Sequence, residues 1–196
     1  MRWLMLVSAC LVLAGCERPV LSHHALFRPA DARSAPSFRE GIWLNGPSDG
    51  CEIDLSRPAG QWPDCADWTL IAQGRIVRTK LSGRHAPRRA SQPFILAAGD
   101  PRILQEAAVD NPGFYRFTVV RPLQSDADGE ITAAETWSVV CPPRPDKAER
   151  AVAIAGLEAA RAACRLRDVG TLNRVIGQAA DWAPHQTMHW VRDGDR

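Results

Sequence analysis

The chain reads as an α+β protein, and three features point that way. Residues 42–140 fall into short apolar or alternating runs separated by Gly, Pro, Asp and Asn, the pattern of strands joined by turns. The last third changes character at Pro145, where Asp146 and Glu149 hold a capping-box spacing ahead of an Ala-rich run closed by Gly170. Cys51, Cys65, Cys141 and Cys164 lie across both parts, where they can staple one to the other in an oxidising compartment. The expectation is an antiparallel β-rich N-terminal two-thirds, with a long C-terminal helix, a shorter second helix and a last strand packed on the sheet.

At the N-terminus, Met1 and Arg2 precede an apolar stretch over residues 3–14, too short for the roughly 20 residues that a membrane-spanning helix requires. It ends in Leu13, Ala14, Gly15 and Cys16, which resembles the lipobox of bacterial lipoproteins. That resemblance implies cleavage before Cys16 and acylation of its thiol. Residues 1–15 are then a signal peptide, 16–38 a lipidated cysteine with a flexible tether, and 39–196 a single domain. Acyl chains contribute about 0.8 kcal/mol per buried methylene, so the two or three that such proteins carry hold them on a bilayer. In the proteins this signal resembles, the residue after the cysteine sorts the product. Glu17 points to the outer membrane, facing the periplasm.

Taking 15 residues from 196 leaves 181, enough for one domain with its own core. A net charge of +2 and export to the envelope exclude a dedicated nucleic-acid binder. The segment from Glu17 to about Phe38 carries Pro19, Pro29, Pro36 and scattered Arg without periodicity, which is tether composition with a coil dimension of roughly 25 Å.

Strands are expected over residues 42–44, 51–55, 68–72, 75–81, 93–97, 114–121 and 131–140. In 114–121, Tyr115, Phe117 and Val119 alternate with Arg116 and Thr118, and 126–129 turn that strand into the next. Asp100 and Pro101 suggest an N-cap and first-turn proline of a short helix ending before Asn111. A second C-terminal helix is expected over about 172–182 and a closing strand over 186–192. Four cysteines allow three pairings. Cys51 with Cys65 and Cys141 with Cys164 is favoured because each pair is close in sequence. A loop of about 15 residues closed this way contributes on the order of 3 kcal/mol.

Gly46, Pro47, Ser48, Asp49 and Gly50 match the G-x-S-x-G of a hydrolase nucleophile elbow, but a strand rather than a helix is expected next, so a turn is the better reading. Residues 124–135 resemble an EF-hand loop in part through Asp126, Asp128, Gly129, Ile131 and Glu135, but Gln124 stands where the first Asp ligand belongs. His185 and His189 would share one helix face for a metal. On a strand they lie about 13 Å apart. No metal and no cofactor is expected.

Arg75, Arg78, Lys80, Arg84, Arg88 and Arg89 occur within one stretch that has no acidic residue. They are the candidate patch for an anionic partner, whether lipid headgroup, lipopolysaccharide phosphate or acidic envelope protein, each contributing up to about 1 kcal/mol at such a surface. Gly41, Ile42 and Trp43 open the folded region with G-x-W, similar to the start of lipocalins and of small periplasmic protease-inhibitor barrels, the latter with a disulfide soon after, here through Cys51.

The functional expectation is a non-catalytic cell-envelope lipoprotein, bound to the bilayer through Cys16 and acting as a tethered binding or structural module. The alternative is a lipocalin-like or protease-inhibitor-like barrel that binds a small apolar ligand or a protease. A periplasmic hydrolase comes third and needs Ser48, His185 or His189 and a carboxylate to converge.

Overall fold

The computed structural model describes residues 18–34, 36–46, 50–80, 88–142, 153–160, 162–179 and 183–194, and only the backbone of residues 79, 80, 88–90 and 179. After β1 (Val20–Ser22) comes a meander of β2 (Gly41–Asn45), β3 (Trp68–Ala72), β4 (Arg75–Lys80), β5 (Arg88–Ala97), β6 (Arg102–Ala107), β7 (Tyr115–Ser125) and β8 (Ile131–Ser138). Two short strands, β9 (Glu158–Ala159) and β10 (Cys164–Arg165), lead to α1 (Val169–Ala179) and β11 (Gln186–Arg192). Each meander strand pairs antiparallel with the next, and β11 enters antiparallel between β8 and β2. The eight strands β2 to β8 and β11 therefore close a barrel with no free edge.

Alternation gives each strand an inner and an outer face, and much of this barrel is buried on both. Inside lie Trp43, Ile71, Ile76, Leu96, Leu104, Val120 and Ala134, in one cluster with Phe38 and Ile131. Outside, Ile103, Phe117, Val119 and Trp137 form a second cluster with Val20, Phe27, Leu166 and the Leu172, Val175 and Ile176 stripe of α1. Asp168 caps α1, its carboxylate accepting the backbone N–H and the hydroxyl of Thr171 at 2.7 and 2.8 Å. A third cluster, with Ile42, Leu44, Ala59, Trp62 and Ala66, packs residues 50–67 over β2 and β3. Cys51 is bonded to Cys65 within that loop, and Cys141 to Cys164.

The long C-terminal helix is not formed. Residues 143–152 lie outside the described residues, while 153–160 and 162–168 hold turns and the strands β9 and β10. Local Ala propensity is outweighed by tertiary pairing. The Cys164 and Leu166 amides donate to the carbonyls of Pro19 and Leu21, β10 runs parallel to β1, and Gly156 takes φ +85°. α1 is the only α-helix among the described residues. The short helix after Asp100 is instead the turn into β6, whose Ile103, Leu104, Gln105 and Glu106 are all buried, as a strand covered on both faces requires. Residues 51–55 form a disulfide-pinned loop and no strand.

The segment expected as a tether is part of the fold from Arg18 onward. Val20 and Leu21 are buried, and β1 pairs with β7 on one side and β10 on the other. Gln105 accepts the N–H groups of Leu26 and Phe27 at 2.7 and 3.0 Å and donates to the Phe27 carbonyl. Residues 29–32 form a 3-10 turn whose Asp31 carbonyl accepts the Ala98 N–H. Of the prolines that read as linker, Pro19 bridges to Val140 and Pro29 opens the 3-10 turn, and a sheet edge and a buried amide side chain hold the segment in place.

Candidate functional site

One end of the barrel is closed by the G-x-W residues. Gly41 has φ +136°, and a Cβ there would lie 2.3 Å from the Arg192 carbonyl oxygen and 2.6 Å from Trp190 Nε1, so only glycine lets β2 meet β11 at this corner. Trp43 is fully buried, donates Nε1–H to the Arg39 carbonyl at 3.0 Å, and meets Phe38 edge-on at 5.3 Å. The Arg39 guanidinium lies 3.8 Å over the Trp190 ring, and Phe38 bridges to Ile131. Aromatic and aliphatic side chains pack this floor together with Arg102, which shares the inner face and keeps a buried Nη1 without a hydrogen-bond partner among the described residues.

The other end is polar. From the same inner face rise Asn45 and Thr69, Arg78, Gln92, Glu106, Arg116 and Thr118, from β2 to β7 in turn. Glu106 has a side chain only 1% exposed and would be costly to bury alone. It accepts Arg78 Nη1 at 2.7 and 2.6 Å on its two oxygens, and Arg116 Nε at 2.7 Å. Arg116 comes from its register partner on β7, while Arg78 reaches across the mouth from two strands away. The two guanidinium groups keep 39% and 30% of their side-chain exposure, so the carboxylate is sealed and its cations face solvent. The two guanidinium groups share one buried carboxylate, and the exposed Asp67 carboxylate stands at the same end beside Asn45. At the rim, Asn45 Nδ2 donates to Asp67 Oδ1 and Thr69 Oγ1, each at 3.2 Å, and Gln92 keeps a buried Oε1 without a hydrogen-bond partner among the described residues.

The residues singled out in the sequence are dispersed. In the basic stretch, strand alternation splits the candidates. Arg78 turns into the barrel, Arg75 lies outside on Ser91 at 2.8 Å, Lys80 faces Arg88 and Thr79 faces Arg89 in the β4–β5 register, and Arg84 lies outside the described residues. Ser48 and Cys16 also lie outside them. His185 and His189 do not converge on one another's work. His185 stacks on Trp137 at 4.4 Å and meets Glu135 at 2.9 Å, whereas His189 pairs in register with Ala133 and Leu44. The EF-hand-like stretch is the β7–β8 turn. Asp126 spends one oxygen on the backbone N–H groups of Asp128 and Glu130 and the other on Arg39. The Glu135 carboxyl is held below its ordinary range by the His185 hydrogen bond first and then by the Arg121 charge.

Glu106 and Arg116, the centre of the mouth, were not among the sequence candidates. Glu106 fell in the expected short helix, and Arg116 read as the solvent face of an alternating strand. The signal present was that alternation itself, because in a closed barrel a strand's polar set can face inward. Two hollows lie on the outer wall, one of about 530 Å³ beside Glu52, Asp54, Arg57 and Trp62, and one of about 450 Å³ beside His23, His24, Glu158 and Arg165. No protein-family model, no curated protein and no solved structure matches this chain.

Proposed function

We propose that this protein is a lipid-anchored, non-catalytic binding module of the cell envelope, a lipocalin-like barrel whose recognition end is its polar mouth. The observation that carries the reading is the asymmetry of the closed barrel. Its floor is packed around Trp43 and Phe38, while its polar end leaves Arg78 and Arg116 partly exposed around a sealed Glu106. A packed floor favours a ligand seated at the rim over an apolar molecule swallowed whole. The anchor is Cys16, on the lipobox pattern of residues 13–16.

The hydrogen bonds of Arg18 support a short anchor. Arg18 Nη1 and Nη2 donate to the carbonyls of Ala160 and Pro142, each at 3.1 Å, and its own carbonyl accepts the Cys141 N–H at 2.8 Å. Arg18 lies two positions after Cys16, at most about 7 Å of chain, so the barrel rides on the bilayer rather than at the end of a long tether.

Native mass spectrometry of membrane-extracted protein tests both halves, with Cys16→Ser and Arg116→Gln as comparisons. The wild type should lack residues 1–15, carry acyl chains and retain a small molecule that the Arg116→Gln protein loses. An unacylated wild-type mass, or a bound molecule indifferent to Arg116, would contradict the reading.

A further inference from the structure

Resting on the mouth as the recognition end, we infer that Arg78 and Arg116 form a binding site for a phosphate oxyanion, with Glu106 as its built-in competitor. A guanidinium offers five N–H donors in a planar fork matched to phosphate. Among the described residues, Arg116 spends only Nε on Glu106 and Arg78 only Nη1, while both side chains stay partly open to solvent. Both guanidinium groups share Glu106, so the one carboxylate that occupies them is also the one an oxyanion would displace. An entering oxyanion gains two forks without displacing any protein carboxylate other than Glu106, and the barrel wall limits screening of its charge.

The place of β1 beside Arg116 favours a phosphate. Leu21 is the register partner of Arg116 and lies five positions after Cys16, at most about 18 Å of extended chain. A protein acylated at Cys16 holds this mouth within reach of the phosphate layer of its own membrane. The same chemistry is offered by free phosphate, and the two sources differ in whether an acyl tail adds affinity.

The test uses the mature protein with Cys16→Ser, so that binding is read without the anchor, at constant ionic strength made up with chloride. The Nε–Hε resonance of Arg116 is followed by NMR during titration with inorganic phosphate, with monomeric dihexanoylphosphatidic acid, and with the neutral dye N-phenyl-1-naphthylamine. A saturable shift with a phosphate probe is expected. Glu106→Gln, a near-isosteric change that keeps a hydrogen-bond acceptor between the arginines, should tighten it by about tenfold. Arg116→Lys should weaken it by a similar factor, with the fold preserved as judged by the amide spectrum. Binding of the lipid alone assigns the site to headgroups, and equal binding of both assigns it to free phosphate. Either supports the inference. No saturable shift with either phosphate probe, or an affinity that Glu106→Gln leaves unchanged or lowers, overturns it. If the neutral dye alone then moves the Arg116 resonance, the mouth remains a recognition end for uncharged ligands. If nothing moves it, the reading of the mouth falls as well.

Discussion

At the scale of single residues, Gly41 does a job that the motif alone does not explain. The G-x-W spacing places a glycine where the first and last barrel strands meet and a tryptophan one pleat further on inside the floor. A methyl group at Gly41 would strike the Arg192 backbone while holding φ in the left-handed region. Gly41→Ala should therefore cost about 3 kcal/mol, read as a lower midpoint in urea, by combining backbone strain with overpacking at the seam. Glu135 sets a different expectation. Its carboxyl is held below the ordinary value of 4.5 by His185 and Arg121, so it stabilises the fold above that value and the stabilisation is lost as pH falls through the lowered folded value. Melting temperatures measured from pH 7 to pH 3 should fall more steeply below pH 4.5 in the wild type than in Glu135→Gln.

At the scale of elements, the Cys141–Cys164 bond sits where the N-terminal strand leaves the barrel. β1 lies between β7 and β10, and the amides of Cys141 and Cys164 donate to the Arg18 and Pro19 carbonyls. Replacing both cysteines with alanine should cost about 3 kcal/mol and remove amide-exchange protection at Val20 and Leu21 first, with β5 to β8 keeping theirs. Equal loss of protection throughout would show that β1 is not a separable unit. The same region shows where sequence reading succeeds and fails. Residues 68–72 and 186–192 match β3 and β11 to the residue, because turn signals bound each run. The Ala-rich run misleads because helix propensity is a local quantity. The pairing of β10 with β1 is a contact between residues more than 140 apart, and it places Cys164 on Cys141. The proline-containing start misleads for the same reason, since nothing in residues 18–38 announces the Gln105 side chain that binds it. At the mouth, Arg78 is legible as part of a basic run, but its partner Glu106 lies two strands away and becomes visible only when the barrel closes.

At the scale of the whole molecule, a barrel without free edges has one wall covered by α1 and the N-terminal segment, another covered by the Cys51–Cys65 loop, a floor packed around Trp43 and Phe38, and a polar end that holds Arg78, Arg116 and Glu106. Each covered wall removes a surface from recognition, and the proposed reading places binding at the polar end. The outer hollows beside Arg57 and Arg165 are the competing places for a ligand. Arginine footprinting with phenylglyoxal separates the two directly, by comparing membrane-resident wild type with the purified, dialysed Cys16→Ser protein and mapping adducts by mass. The account predicts that Arg78 and Arg116 react severalfold more slowly in the membrane-resident protein, while Arg57 and Arg165 react alike in both. Protection of Arg57 or Arg165 with Arg78 and Arg116 unchanged would contradict it and move the recognition site to the outer wall.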